Sequence, residues 1–388
     1  MNRLVIILCT AGLFINSCSE IGNKEEKNNG IKSETSQILA DFEMQLKDDV
    51  KEDNLGSIST TVFREDQIIW AKTFGKANFG NGVEADTNTI YRAASISKTV
   101  AAFLMMLLVQ EGTISLSDPI EKFLPEIASV QNTQILDTNR ITFRHLASHT
   151  SGLSREPNLV DAASGPIEEW EGKVLSSISS TRLNTVPGEK YAYSNIGYGI
   201  LGLALSRASG KPFIELVHEM VFEPLNMHNS FFIIPEGSDS KVATGYKWHP
   251  FTGKVDDQKS QLEHAGRGYK VPNGGIYSTP NDLARFLMAH IVNGGLLSKE
   301  LMEKMHTIQT PESNKYGYGF CFYIRNNDNG IKMIEHDGGV TGYNAYMVFS
   351  PDSKIGVILM RNYNFGRTNI LLEPRSLLNQ LSQIKKQK

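Results

Sequence analysis

The chain has 388 residues, 40% hydrophobic and 21% charged, with a formal net charge of -3. That length suffices for a large core in one or two lobes. The near-neutral balance, with no lysine- and arginine-rich stripe carrying interleaved aromatics, argues against a nucleic-acid partner.

Met1-Asn2-Arg3 precedes a short apolar run, Leu4 to Ile15. A bilayer span needs ~20 residues, so this run reads as the hydrophobic part of an export signal. It ends in Ile15-Asn16-Ser17-Cys18, which resembles a bacterial lipobox. The expectation is a lipoprotein signal peptide over residues 1–17, removed so that Cys18 becomes a lipidated N-terminus. That places the protein in the bacterial cell envelope, on the periplasmic or cell-surface side. A polar tether over 18–33, rich in Lys, Glu and Asn, follows. Of the three cysteines, Cys9 lies in the signal and Cys18 at the cut, leaving Cys321 alone in the body. No intrachain disulfide is then available, and Cys321, in the strand-like run Tyr318–Tyr323, reads as a buried thiol.

From Glu34, apolar residues recur at Ile38, Phe42, Leu46 and Val50, predicting an amphipathic helix. Two β-rich runs, Ser57–Phe63 and Gln67–Phe74, predict a hairpin across Arg64-Glu65-Asp66. Ser95-Ile96-Ser97-Lys98 then opens a strongly apolar run, Val100 to Leu108, expected to be helical. Further helices are expected at Phe143–Ser148, Asn195–Ser209, Pro212–Phe222 and Asn281–Val292, the last capped by Thr279 or Asn281. Tyr316–Ile324, Ile331–Glu335, Tyr343–Phe349 and Lys354–Met360 read as antiparallel strands, with a terminal helix from about Asn369. This order predicts an α+β fold over residues 34–388. An antiparallel sheet from about residues 34–94 and 275–388 is flanked by the N- and C-terminal helices. A mostly helical domain, about 95–274, is inserted.

The chemistry starts at Ser95 and Lys98. Three residues apart on a helix, they share a face, so the amine can lie beside the hydroxyl. An apolar setting lowers a lysine pKa and lets the amine accept the serine proton. Ser-x-x-Lys recurs at Ser238–Lys241 and Ser382–Lys385, so the spacing alone does not single out a nucleophile. Two further motifs do. Tyr193-Ser194-Asn195 offers a phenol that a nearby lysine ammonium can drive towards phenolate, and a neutral amide to hold a substrate amide. Glu335-His336-Asp337-Gly338-Gly339 ends a strand-like run in two glycines, whose N–H groups can face an oxyanion. Only Ser95 precedes both.

Together these motifs resemble the serine β-lactamase/penicillin-binding-protein superfamily, in the branch of class C β-lactamases, DD-peptidases and esterases. The resemblance runs from about Ser57 to Phe365 and includes Leu146–Leu153, Pro187-Gly188-Glu189 and Pro224–Met227. It implies Ser95 as the acylated nucleophile, Lys98 as its activator and Tyr193 as the proton relay. It also implies Asn195, His336, Gly338 and Gly339 around the substrate, with the N–H groups of Ser95 and Gly339 as oxyanion hole. No cofactor or metal is implied; the partners are a small-molecule or peptide substrate and the membrane holding Cys18.

His336 stands where β-lactamases of this branch carry lysine, so peptidase or esterase chemistry is expected ahead of β-lactam hydrolysis. Its reference pKa of ~6.5 leaves it open to neutrality, while Asp337 beside it would favour the charged form. Two alternatives are a penicillin- or peptidoglycan-binding sensor lipoprotein with little turnover, and zinc held by His145 and His149 on one helix. The second lacks the glutamate of a metalloprotease helix between the histidines.

Overall fold

A computed structural model describes residues 15–132, 134, 140–248, 252, 255–257, 267–291, 295–313 and 316–386. The expected signal peptide therefore lies almost wholly outside the described residues. Helix α1 runs Ile15–Asp53, so it covers the stretch expected as a tether and starts well before Glu34. The Lys and Glu residues of that stretch are good helix formers, which a polar composition alone does not reveal. Of the expected apolar stripe, Phe42, Leu46 and Val50 are buried at the C-terminal end of the helix, while Ile38 is half-buried and Leu39 beside it is buried instead.

Strands β1 (Ser57–Arg64), β2 (Gln67–Asn78) and β3 (Val83–Glu84) follow, the first two as the expected hairpin. β4 (Tyr91–Arg92) leads into helix α2 (Ser97–Gln110). The helical region continues with α3 (Phe143–Ala147), α4 (Trp170–Ile178), α5 (Asn195–Ser209), α6 (Phe213–Val217) and a π-turn over His218–Phe222. A small ribbon, β5 (Lys247–Trp248) with β6 (Val255–Asp256), and helix α7 (Val271–Gly274) precede β7 (Tyr277–Ser278). Thr279 caps α8 (Pro280–Met288), and α9 (Lys299–Met305) follows it. Next come β8 (Thr310–Ser313), β9 (Tyr316–Tyr318) and β10 (Tyr323–Asn326). β11 (Lys332–Val340), β12 (Tyr343–Ser350), β13 (Ile355–Arg361) and α10 (Leu372–Lys386) complete the described chain.

Among the described residues, nine strands make one sheet in the order β3-β2-β1-β13-β12-β11-β10-β9-β8, antiparallel throughout. β1 pairs with β13, so both ends of the chain build its centre. Period-2 alternation divides the core into two layers. Met347, Phe349, Ile358 and Met360 belong to the layer shared with the helical region. Val348, Val357 and Leu359 belong to the other, where α1 and α10 contribute Phe42, Leu46, Leu377 and Leu381. Helices thus cover both faces of the sheet, the expected α+β architecture.

Within the sheet, two stretches differ from expectation. Tyr316–Ile324 is not one strand: β9 ends at Tyr318 and β10 begins at Tyr323, with Cys321 at φ 62° in the corner between them. Its apolar, strand-like composition conceals that corner. The Cys321 side chain is nonetheless fully buried. Conversely, β11 does not stop at Glu335 but continues through His336 and both glycines to Val340. Pairing with β12, Gly338 opposite Ala345 and Gly339 opposite Asn344, carries the strand onward.

Candidate active site

Ser95 sits on a single 3-10 turn, Ala94–Ile96, between β4 and the buried helix α2. Ala94 precedes it at φ 50°, a left-handed conformation that costs a non-glycine residue about 1 kcal/mol. The Ser97 hydroxyl holds that turn by donating to the Ala94 carbonyl (2.7 Å) and accepting the Ile276 N–H (3.1 Å). Ser95 is thereby left partly exposed on an otherwise buried segment.

Lys98 lies one turn on, fully buried, as are its neighbours from Ser97 to Leu108. Its Nζ is 3.0 Å from Ser95 Oγ and 2.9 Å from the Asn273 carbonyl oxygen. Burial pushes the amine down to about 7; Cys321 and Glu156 oppose the shift, while Arg155 and Lys270 add to it. A large share of Lys98 is therefore uncharged at neutral pH and able to take the Ser95 proton.

Tyr193 completes the group from the loop ahead of α5. Its ring centroid is 5.0 Å from Lys98 Nζ and 4.1 Å from the ring of His149. Burial raises the phenol well above its ordinary value, only partly offset by a hydrogen bond with Ser95. The resting form is the protonated phenol, not the phenolate expected beside a lysine ammonium. Ser194 starts α5 by accepting the Gly197 N–H (3.0 Å), and this cap places Asn195 at the first helical position. The Asn195 Nδ2 donates to Glu156 Oε1 at 2.5 Å, and its carbonyl accepts from Asn273 Nδ2 at 3.0 Å.

The third motif reaches the same place from the sheet. A Cβ built on Gly338 would stand 2.3 Å from the Ala93 carbonyl oxygen and 3.1 Å from the Ser95 nitrogen. Only glycine lets β11 pass so close to the serine turn. His336, two residues back on the same face, is buried. Its Nδ1–H donates to the Asp337 carbonyl (2.7 Å), which leaves Nε2 to accept from the Tyr318 hydroxyl (3.3 Å). Burial lowers it to about 4 and outweighs the opposing charge of Asp337. The ring is neutral at pH 7, unlike the fixed lysine cation of β-lactamases.

The residues expected around the substrate, Ser95, Lys98, Tyr193, Asn195, His336, Gly338 and Gly339, are thus brought together by α2, the start of α5 and β11. The other two Ser-x-x-Lys matches stand apart: Ser238–Lys241 forms a surface 3-10 turn, and Ser382 on α10 bonds Ser353. The zinc alternative loses its geometry. α3 ends at Ala147, and His149 follows at φ 56°, so His145 and His149 are not one helical turn apart. His145 Nδ1 instead accepts the Thr142 N–H in a capping box.

Several participants are not apparent from the motifs. His149 packs against Tyr193, and its Nδ1 accepts the Ser194 N–H (3.1 Å). Tyr318 orients His336, and Asn273 joins Lys98 to Asn195. Glu156 holds Asn195 while bonding the Tyr269 hydroxyl and pairing with Lys270 Nζ at 3.3 Å. His149 falls inside the Leu146–Leu153 stretch already singled out; the others carry no local pattern.

A sheet flanked by helices, a serine on a tight turn and a buried lysine beside it define a serine hydrolase of the penicillin-recognising kind. The beta-lactamase family model matches residues 42–378, and the chain belongs to that family. It is 27% identical over 314 residues to the D-alanyl-D-alanine-carboxypeptidase/endopeptidase AmpH of Escherichia coli K12, covering 74% of this chain and 75% of that one. The octameric penicillin-binding protein homologue from Pyrococcus abyssi superposes with a TM-score of 0.75 at 26% identity, over 90% of this chain and 78% of that one. A beta-lactamase/D-alanine carboxypeptidase from Yersinia pestis shares the fold, with a TM-score of 0.71 at 22% identity, over 90% and 98%.

Proposed function

We infer that this serine hydrolase works through an acyl-enzyme on Ser95, acting on D-amino-acid peptides of the cell wall or on small esters. The observation that carries this reading is the 3.0 Å approach of Lys98 Nζ to Ser95 Oγ, with the lysine lowered to about 7. Lys98 takes the Ser95 proton as Oγ attacks the substrate carbonyl. The N–H groups of Ser95 and Gly339 stabilise the oxyanion. Collapse breaks the scissile bond, and the Tyr193 phenol protonates the departing amine or alkoxide, regaining its proton from the Lys98 ammonium. Water then attacks the ester on Ser95, its proton passing to the same pair, which restores the hydroxyl.

Asn195 holds the amide on the acyl side of the substrate, and the β11 edge at Gly338 and Gly339 lines the opposite side. A neutral His336 supplies no cation for a β-lactam carboxylate, nor for the C-terminal carboxylate of a D-Ala-D-Ala peptide. That favours esters and amides without a leaving-side carboxylate over β-lactams. The likeness to a D-alanyl-D-alanine carboxypeptidase supports the peptide branch. The Ile15–Cys18 lipobox supports export and anchoring through Cys18, which radiolabelled palmitate incorporation, lost in Cys18→Ala, would check.

The test is a panel of p-nitrophenyl esters, D-Ala-D-Ala peptides, D-amino-acid amides and nitrocefin, on wild type and Ser95→Ala. Ser95-dependent turnover of peptides or esters above nitrocefin is expected. A penicillin adduct on Ser95 that never releases product, with no turnover elsewhere, would instead mark a sensor.

A further inference from the structure

The mouth of the site holds a cation that the mechanism does not use. Arg155 is exposed, and its guanidinium carbon lies 4.8 Å from the Tyr193 ring centroid. Its backbone is fixed to the motif, because the Arg155 carbonyl accepts the N–H of Asn195 at 2.8 Å and that of Ile196 at 3.3 Å. The side chain therefore projects from a point locked to the start of α5.

The cations closest to the reacting groups are committed, while the exposed Asp337 carries the opposite charge on the β11 side. Lys98 is buried on Ser95 and Asn273, and His336 is neutral. Lys270 pairs with Glu156, whose carboxylate is further occupied by Asn195 and Tyr269. Among the described residues, Arg155 has no ion pair and no side-chain hydrogen bond. Although Glu156 is next in sequence, the guanidinium rests on a phenol ring. Stacking leaves its N–H donors, which lie in the guanidinium plane, available for an incoming acceptor. Its field reaches the reacting group, since it contributes to lowering Lys98.

We propose that Arg155 is a specificity residue that binds a carboxylate carried on the acyl side of the substrate. The proposal rests on the reading of Ser95 as nucleophile and Asn195 as the holder of the acyl-side amide. The bond formed is a charge-assisted, bidentate pair between guanidinium and carboxylate, next to that amide. It selects acyl groups with a free carboxylate and leaves the leaving group to the β11 side.

The experiment compares N-succinyl-D-Ala-D-Ala with N-acetyl-D-Ala-D-Ala, and a p-nitrophenyl hemiglutarate ester with p-nitrophenyl butyrate, using the full-length protein. The readout in each pair is the ratio of kcat/KM for the member with the added acyl-side carboxylate (the anionic member) over the one without it, the C-terminal carboxylate being common to both peptides. Wild type is expected to favour the anionic member roughly tenfold or more, chiefly through KM. Arg155→Gln should bring the ratio towards one, Arg155→Lys should keep part of it, and Arg155→Glu should reverse it. Should those variants fold poorly, wild type alone decides the matter through salt. The anionic preference should shrink to roughly a third or less between about 0.05 and 0.5 M NaCl, as an exposed charge is screened. Ser95-dependent turnover with equal rates on both members, or a preference insensitive to salt and to Arg155→Gln, would overturn the proposal while leaving the hydrolase reading intact. Absence of any Ser95-dependent turnover would overturn both.

Discussion

Glu156 and Asn195 are joined by a 2.5 Å hydrogen bond at the mouth of the site. Because Glu156 also meets Tyr269 and Lys270, it holds the Asn195 amide from outside while Asn273 holds the backbone from within. Glu156→Ala should free the amide and release Lys270, raising KM about tenfold with little change in kcat, as expected for loss of ground-state positioning. Glu156→Gln keeps an acceptor for Asn195 and should fall between the two. Steady-state kinetics on a D-Ala-D-Ala peptide checks both; an unchanged KM in Glu156→Ala would mean that Glu156 does not position Asn195.

The reaction should gain rate as pH rises through about 7. Lys98 is lowered to about 7 by burial, and only its uncharged form accepts the Ser95 proton. The acidic limb of kcat/KM therefore reports this group in the free enzyme. Lys98→Arg, which cannot lose its charge at neutral pH, should lower kcat/KM by at least about a hundredfold and abolish that limb. The same burial costs stability. Below its unfolded value of 10.5, the lysine binds protons more readily in the unfolded chain, so the fold is penalised as pH falls towards about 7. Lys98→Met should thus be inactive yet more stable by ~2 kcal/mol, read as a higher Tm.

The two glycines of the third motif should behave differently. A Cβ at Gly338 meets the backbone oxygen of Ala93 at 2.3 Å, whereas one at Gly339 finds Asn344 Nδ2 at 3.4 Å. Gly338→Ala should push β11 off the serine turn and destabilise by ~2 kcal/mol or more, with loss of activity. Gly339→Ala should leave Tm close to that of wild type. Thermal unfolding of the two variants side by side distinguishes them.

Acid should unfold the protein through buried neutral histidines. His290 is lowered to about 3 and His336 to about 4 by burial, and His306, 3.0 Å from His290, is held well below its ordinary value for the same reason. Each takes up its proton near pH ~6.5 in the unfolded chain but only far lower in the fold. Their contribution is intact above that pH and is lost as pH drops below it, by ~1.4 kcal/mol per unit for each histidine. Urea unfolding between about pH 7.5 and 4.5 should show this slope, reduced in His290→Phe. That variant also removes the His290–His306 hydrogen bond, so the slope and not the absolute stability is the measure.

Much of this arrangement was legible in the residues because the informative features are periodic or spaced. The stripe Phe42, Leu46, Val50 and the run Val100–Leu108 set helices, and the order Ser95, Tyr193, His336 named the three segments that meet. What stayed hidden depends on tertiary placement. The turn at Cys321 reads as strand because both environments are apolar and buried. The extension of β11 past Gly339 is set by its pairing with β12, which overrides the usual meaning of two glycines. Glu156 acts from a loop and Asn273 from the short helix α7, far apart in sequence, where neither spacing nor composition announces a contact. The neutrality of His336 and the protonated state of Tyr193 follow from burial, a quantity that exists only once the chain is folded.

Acylation of Ser95 underlies every chemical step proposed for this protein. Rapidly quenched reaction with p-nitrophenyl butyrate, followed by intact-mass and peptide-mapping mass spectrometry, probes it at the residue itself. A single butyryl adduct is expected on the peptide containing Ser95, absent from Ser95→Ala, which also loses turnover. An adduct on another residue, or undiminished turnover in Ser95→Ala, would contradict it.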